Sequence, residues 1–271
     1  MKMQQIHHCH LVLDFRPMHG YIVHTFVLLP PYNLMTFNGK TAIVTGGTGI
    51  LGKAIVERLF DEGSSIAIPY HSSSSLSSVP QKISSTPSRF YAAKVDLAQD
   101  AQVSAFTKDV AEKFGKIDFL IAAAGGYAGG NLTEDVDIEE FEGMLTINLR
   151  TTFLICRSVL AVMRHQTSGR IVTVASMPAI TPSPKKGPYA ISKRGVITLT
   201  ETIAAEVKGT GITANVIAPS ILLTEANKKS MPDADISKWV TPNEVASLVA
   251  YLCSNEARSI SGNVVKIYGG V

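Results

Sequence analysis

The stretch TAIVTGGTGILGKAIVERLFDEG, residues 41–63, places a short apolar strand, a glycine-rich turn and an amphipathic helix in direct succession. Gly46, Gly49 and Gly52 allow the backbone to turn tightly between the strand and the helix. The free N–H groups and the dipole at the start of such a helix favour an anion such as a pyrophosphate. An ordinary tight turn between a strand and a helix also fits this spacing, so the motif alone leaves both interpretations open.

The alternation of strands and helices continues to the end of the chain. Short apolar strands separated by helical segments predict an α/β fold, a single domain with a doubly wound, seven-stranded parallel sheet (Rossmann fold). In such sheets ligands bind outside the carboxyl ends of the strands. The glycine turn, Ala124-Gly125, Ser176 and Pro219 all fall at predicted strand ends. The six further strands are SIAIPY (65–70), YAAKV (91–95), IDFLIAAAGG (117–126), RIVTVAS (170–176), ITANVIAP (212–219) and NVVKIY (263–268).

Composition excludes several classes of function. The 271 residues are 45% hydrophobic and 17% charged, and the net charge of +3 comes without a basic run. This charge pattern predicts no nucleic-acid partner, and no apolar run reaches the roughly 18 residues that span a bilayer. The three cysteines lie far apart and match no metal or disulfide spacing. We therefore expect a cytoplasmic protein without a metal.

Residues 1–34 differ from the rest of the chain. They hold five of the seven histidines and show no clean helical or strand period. His7, His8 and His10 have no acidic or cysteine partner at a spacing that suits a metal, and a secretory signal is interrupted by charged residues and proline. We predict a dispensable or disordered extension over 1–34 and a dinucleotide-binding and catalytic domain over 35–271.

A second motif lies near the end of the fifth strand. Tyr189 and Lys193 are four residues apart in a predicted helix and so project from one face, with Pro188 in the first turn. Ser176 precedes Tyr189 by 13 residues and ends the buried strand. A hydroxyl at a strand end facing this pair is suited to proton transfer. A tyrosine and a lysine on an ordinary amphipathic helix would look the same in isolation.

The end of the second strand bears on the choice of cofactor. An acidic residue there binds the adenosine ribose diol of NAD, whereas a basic residue accepts the 2′-phosphate of NADP. Tyr70 and His71 occupy these positions and a serine-rich run follows, so no carboxylate repels a phosphate. This favours NADP(H) over NAD(H). The serine run also fits a flexible solvated loop.

Together these motifs resemble the short-chain dehydrogenase/reductase family over residues 37–270. The Ser176–Tyr189–Lys193 spacing carries most of the resemblance, supported by NVIAPS at 215–220 and SGNVVKIYGG at 261–270. The glycine turn has its middle glycine one place early, Ala122-Ala123 replaces the usual Asn-Asn, and Ser220 replaces the usual glycine. Residues 124–131 and 227–239 are similar to the dihydropteridine reductase branch, which lacks the catalytic serine and has an acidic residue where Tyr70 stands.

The resemblance implies a role for each site residue. Tyr189 is the general acid in carbonyl reduction and the base in alcohol oxidation, and Lys193 favours its phenolate and holds the nicotinamide ribose. Ser176 bonds the substrate oxygen, and Asn148 interrupts helical bonding to hold a water. Segment 220–241 is the substrate lid. The implied cofactor contacts are Gly46, Thr48, Gly49, Ile50, Leu51, Gly52, Tyr70, His71, Asp96, Leu97, Ala124, Gly125, Tyr189, Lys193, Pro219, Ile221 and Thr224.

The predicted function is hydride transfer between NAD(P)(H) and a small carbonyl or alcohol substrate. Reduction of a pteridine is a narrower alternative, and a dinucleotide-sensing or scaffold protein without turnover is a non-enzymatic one. Asp96 admits a second interpretation, as a turn residue bonding its own backbone. The family resemblance also implies a homodimer or homotetramer.

Overall fold

A computed structural model describes residues 36–271 of the chain. The predicted extension over 1–34, with His7, His8 and His10, lies outside the described residues, as does Met35. Within the described range, one compact unit covers Phe37–Val271.

Seven parallel strands form one sheet in the order β3-β2-β1-β4-β5-β6-β7. All neighbouring pairs are parallel, which confirms the predicted doubly wound sheet. Strand β4 follows β3 in the chain but pairs with β1, so the sheet extends in both directions from β1. The strands are β1 Thr41–Thr45, β2 Ser65–Tyr70, β3 Phe90–Lys94, β4 Phe119–Ala122, β5 Ser168–Val174, β6 Gly211–Pro219 and β7 Val264–Ile267.

The central strands are buried on both faces because helices cover each side. Every residue of β1 and β4 is buried, which explains why these strands read as continuous apolar runs. Helix α1 packs against α8, and α5 packs against both α3 and α6. The helices are α1 Ile50–Asp61, α2 Gln81–Ser84, α3 Asp100–Phe114, α4 Ile138–Met144, α5 Thr151–Gln166, α6 Gly187–Glu206, α7 Glu225–Ser230 and α8 Pro242–Cys253.

Helices α4 and α5 are joined by a π-helical turn over Leu145–Arg150, so one helix runs from Ile138 to Gln166. By length and composition this helix could cross a membrane, although the sequence was expected to hold no such segment. Its α5 part contributes eight buried residues, and several of them join the main apolar cluster between α3, α5 and α6. The π-helical turn contains Asn148, the residue that was predicted to interrupt helical bonding.

Segment 220–241 has more regular structure than its sequence suggests. It contains α7 and a short 3-10 turn over Ile236–Lys238. Leu222 and Val240 form an isolated parallel bridge, and the Val240 N–H donates to the Ile221 carbonyl at 3.0 Å. The segment is therefore an excursion whose two ends are tied together.

Candidate active site

The glycine turn after β1 is closely packed. Gly46 has a φ of +69°, and a Cβ there would lie 2.9 Å from the Ala124 nitrogen. A Cβ on Gly52 would lie only 2.0 Å from the Gly46 carbonyl oxygen. Gly49 caps α1 and donates its N–H to the same oxygen at 2.9 Å. The start of α1 can therefore approach the end of β1 this closely only with glycines at 46 and 52.

The end of β4 brings the glycine turn and the tyrosine helix together. The Ala124 N–H donates to Thr45 Oγ1 at 3.1 Å, which ties this strand end to β1. At Gly125 a Cβ would lie 2.5 Å from Asn148 Oδ1 and 3.0 Å from Lys193 Nζ. The two predicted catalytic residues thus approach the same backbone position.

Asn148 is fully buried and satisfies the polar backbone beside it. Its Oδ1 accepts from the Gly126 N–H at 3.0 Å, and its Nδ2 donates to the Gly126 carbonyl at 3.1 Å. Nδ2 also lies 3.1 Å from Ser192 Oγ, which donates to the Tyr189 carbonyl at 2.8 Å. Asn148 therefore connects the loop after β4 to the first turn of α6.

Lys193 is buried at 6% exposure and donates its ammonium to the Val174 carbonyl at 3.0 Å. Burial lowers the pKa of Lys193 to about 8. The ammonium is therefore held at the end of β5, by a carbonyl two residues before Ser176. Its lowered pKa means that it loses its proton more readily than a lysine in water.

Tyr189 and Ser176 face each other at the end of β5. Burial raises the pKa of Tyr189, the Ser176 hydroxyl lowers it, and Tyr127 raises it further. Burial is the largest of these causes, and Lys193, which was expected to favour the phenolate, is not among them. Ser176 Oγ is buried and forms no hydrogen bond of ordinary geometry with any residue of 36–271. A buried hydroxyl in this condition is suited to bond an incoming oxygen.

The predicted adenosine contacts lie at the ends of β2 and β3. Tyr70 ends β2 and accepts the Val95 N–H at 2.9 Å, and His71 follows it at the surface. Asp96 Oδ1 accepts the Ala98 N–H at 2.9 Å, so the turn interpretation of this aspartate holds for one carboxylate oxygen. The second oxygen and the neighbouring Leu97 remain candidates for adenine.

Around β6, Pro219 ends the strand and Ile221 binds Val240. Thr224 caps α7 through a hydrogen bond from the Asn227 N–H to its Oγ1 at 3.2 Å. This cap engages the hydroxyl as an acceptor and leaves its proton free to donate. The three residues lie along the segment that leaves the carboxyl end of the sheet.

Sequence reasoning missed two residues of the site. Ser192 links Asn148 to the Tyr189 backbone, and Tyr127 packs edge-on against Tyr189 with ring centroids 5.0 Å apart. The available signal for Tyr127 was one aromatic residue inside the glycine-rich loop 125–131. Ser192 had no signal beyond its position between Tyr189 and Lys193.

The residues present fit a nicotinamide dinucleotide. The glycines at 46 and 125 bring the turn after β1, the end of β4 and the Lys193 ammonium into close contact, as the packing beside a bound dinucleotide requires. The first turn of α1 lies directly beyond the turn after β1 and supplies unpaired N–H groups for a pyrophosphate. Lys193 and Tyr189 lie on the far side of the same loop.

Comparison with known proteins agrees with this geometry. The sequence pattern of the family described as short chain dehydrogenase matches residues 40–235. Levodione reductase of Leifsonia aquatica is 32% identical over 252 residues, covering 86% of this chain and 94% of that protein. A crystal structure of levodione reductase, 32% identical to this chain, superimposes with a TM-score of 0.80 over 86% of this chain and 98% of the other.

Two further solved structures carry a nicotinamide cofactor. NAD+-bound xylitol dehydrogenase is 27% identical, with a TM-score of 0.80 over 86% of this chain and 99% of its own. A blue fluorescent protein from a metagenomic library, in complex with NADPH, is 29% identical, with a TM-score of 0.77 over 87% and 98%. The chain therefore belongs to the short-chain dehydrogenase family of oxidoreductases, which act on CH–OH and C=O groups of small molecules with NAD(P).

Proposed function

We propose that this protein reduces a small carbonyl compound, or oxidises the corresponding alcohol, with Tyr189 as the general acid or base. The observation that carries the proposal is the buried hydroxyl of Ser176, which faces Tyr189 and forms no hydrogen bond of ordinary geometry within residues 36–271. A substrate oxygen placed between the two hydroxyls would accept a hydrogen bond from each.

The residues divide the chemistry between them. The nicotinamide supplies or accepts the hydride. Ser176 donates to the substrate oxygen where negative charge develops, and Tyr189 delivers a proton to that oxygen. Lys193, whose ammonium is held by the Val174 carbonyl, would contact the nicotinamide ribose. Asn148 fixes the loop after β4 at Gly126.

The protonation state of Tyr189 favours reduction near neutral pH. Because burial raises its pKa, the phenol stays protonated and can donate. Oxidation of an alcohol requires the phenolate, so we expect that direction to accelerate as pH rises. An ammonium close to the phenol would oppose burial. Lys193 is the buried ammonium on the same helix, one turn away.

We propose NADP(H) as the preferred cofactor. The serine-rich segment after β2 forms a 3-10 turn over Ser73–Ser78, and Ser78 Oγ donates to the Thr48 carbonyl of the glycine turn at 2.8 Å. Lys94 lies opposite Tyr70 in the β2–β3 register and is exposed, so a cation stands near the end of β2. Hydroxyls and a cation suit a 2′-phosphate better than a free ribose diol.

The cofactor preference is tested by titrating the protein with NADPH and NADH. We expect NADPH to bind more tightly, and Lys94→Met to weaken NADPH while leaving NADH unchanged. Tighter binding of NADH by the unmodified protein would overturn the preference.

The proposed chemistry is tested with Tyr189→Phe. Removing the phenol hydroxyl should lower kcat for carbonyl reduction by roughly 10²- to 10⁴-fold. Binding of NADPH, followed by nicotinamide fluorescence, should change less than about threefold. A protein that binds NADPH but turns over no carbonyl compound would instead favour a dinucleotide sensor.

A quinonoid dihydropterin belongs in the same substrate screen. The glycine-rich loop 125–131 that approaches the site is one of the two segments similar to dihydropteridine reductases. Ser176 argues for an ordinary carbonyl substrate, since that branch lacks the serine. Ser176→Ala separates the two cases: carbonyl reduction should fall sharply, whereas dihydropterin reduction should persist.

We also propose a homo-oligomer. Phe153 on α5 and Ile191 on α6 are 45% and 53% exposed, and a subunit contact over these two neighbouring helices would bury both side chains. Light scattering coupled to size-exclusion chromatography should give a dimer or tetramer, and Phe153→Glu should weaken it. A monomer at micromolar concentration would contradict the proposal.

A further inference from the structure

The loop 125–131 places an exposed aromatic ring against Tyr189. Tyr127 is 60% exposed, yet its ring meets the Tyr189 ring edge-on at a centroid distance of 5.0 Å and an interplanar angle of 79°. Perpendicular packing of this kind stabilises both rings. Tyr127 therefore has a defined position beside the phenol and still presents ring surface to a ligand.

Both sides of Tyr127 are fixed by hydrogen bonds to the site. On one side, Gly126 is bonded through its N–H and its carbonyl to Asn148. On the other side, the Gly130 N–H donates to the Lys185 carbonyl at 2.9 Å, four residues before Tyr189. The loop thus bridges Asn148, in the π-helical turn, and Lys185, in the turn just before α6.

The loop also folds tightly around Tyr127. A Cβ at Gly129 would lie 2.7 Å from the Lys185 carbonyl oxygen and 2.9 Å from the Tyr127 hydroxyl oxygen. Lys185 itself has a φ of +63°, an uncommon conformation for a residue with a side chain. This close packing fixes the ring in advance of any ligand, which reduces the ordering cost of binding.

We propose that Tyr127 is a specificity-determining residue that selects carbonyl substrates whose carbonyl is conjugated to a planar ring. A substrate oxygen held between Ser176 and Tyr189 would bring the rest of the molecule close to Tyr127. A flat ring gains an aromatic contact there, and a flexible alkyl chain gains much less. The inference rests on the proposed function, because it assumes carbonyl turnover at Tyr189.

The test compares carbon-matched ketones, such as acetophenone and 2-octanone, on the full-length protein with NADPH. Tyr127→Leu should lower kcat/KM for the ring ketones by roughly 2- to 12-fold, mainly through KM, which corresponds to the strength of one aromatic pair. For the open-chain ketones kcat/KM should change less than about twofold. Tyr127→Phe, which keeps the ring, should retain the selectivity.

Tyr251→Leu is the matched control, because Tyr251 is an exposed tyrosine on α8 and should leave both values unchanged. Equal losses for the ring and open-chain ketones, or no loss for either, would overturn the role of Tyr127 while leaving the proposed function intact. If the unmodified protein reduces other carbonyl compounds but neither group of ketones, this inference alone fails. If it reduces no carbonyl compound, the proposed function fails and this inference fails with it.

Discussion

Asn148 binds both polar backbone groups of Gly126, accepting from its N–H at 3.0 Å and donating to its carbonyl at 3.1 Å. One side chain inside a π-helical turn therefore supplies both hydrogen bonds that Gly126, as a loop residue, does not make within a helix or a sheet. The same amide reaches Ser192 on α6. The loop after β4 and the tyrosine helix consequently share one buried contact.

Replacement of this amide should loosen the loop. Asn148→Ala leaves both groups of Gly126 without the side-chain partner, and we expect a loss of about 2 kcal/mol in the free energy of unfolding. The Gly126 amide should exchange its hydrogen faster in native-state exchange experiments. Asn131→Ala, in the same loop but exposed, should change stability by less than about 0.5 kcal/mol. Equal effects of the two variants would contradict this role of Asn148.

Ser176 should matter for turnover and little for stability. Because its Oγ forms no hydrogen bond of ordinary geometry within residues 36–271, Ser176→Ala should change the free energy of unfolding by less than about 1 kcal/mol. Carbonyl reduction should fall by roughly 10²-fold or more, the usual effect of losing one donor to a developing oxyanion. Denaturant unfolding and steady-state kinetics on one preparation measure both effects.

Thr200→Val is the control for this variant. Thr200 Oγ1 is equally buried but lies 2.8 Å from Thr173 Oγ1 and donates to the Val196 carbonyl. Its loss should cost about 1 kcal/mol of stability with little effect on kcat. A large destabilisation by Ser176→Ala would show that the serine is structural.

Lys193 should make stability depend on pH in the alkaline range. Burial lowers its pKa from 10.5 to about 8, so the unfolded chain binds more protons than the folded protein between these values. The contribution of the Lys193 pKa shift to the free energy of unfolding is therefore complete above pH 10.5 and is lost as pH falls through about 8. Relative to Lys193→Met, the wild-type protein should gain about 3 kcal/mol between pH 7 and 10.5.

The measurement is denaturant unfolding of both proteins at several pH values. Lys208→Met, which removes an exposed lysine, should show a stability difference that stays constant over the same range. A constant difference for Lys193→Met as well would mean that its ammonium is not held out of water.

Replacing a helical glycine with alanine should have opposite effects on stability at Gly52 and at Gly143. Gly52→Ala places a Cβ 2.0 Å from the Gly46 oxygen, so the backbone must shift; we expect a loss of about 3 kcal/mol in stability and weaker dinucleotide binding. Gly143→Ala in α4 meets nothing within 4 Å and should stabilise the protein by about 0.5–1 kcal/mol. Thermal unfolding and NADPH titration report both effects, and a neutral Gly52→Ala would refute the packing argument.

Much of the fold could be predicted because its signals are local. The apolar strands, the glycine turn and the helix carrying Tyr189 and Lys193 each follow from a short stretch of sequence. Pro188 lies in the first turn of α6, as its missing N–H allows. The lid was harder, since the cap of α7 by Thr224 and the bridge from Leu222 to Val240 arise from weak or distant signals.

The site itself was predicted only in part, because several of its contacts join distant residues. Tyr127, in the loop after β4, meets Tyr189 in α6, and no local sequence pattern connects the two. The partner of Lys193 is a backbone carbonyl, Val174, which every sequence would offer equally. The direction of the Tyr189 pKa also depends on burial, which a motif does not specify.

The position of β4 beside β1 has a consequence for synthesis on the ribosome. Thr45 and Ala124, which close the glycine turn against β4, are separated by 79 residues in the chain. Lys193 and Tyr189 emerge later still, and contacts of such long range form late in folding. A nascent chain that ends after β3 holds the glycine motif without its opposite wall, so we expect a nicotinamide dinucleotide to stabilise only the finished domain.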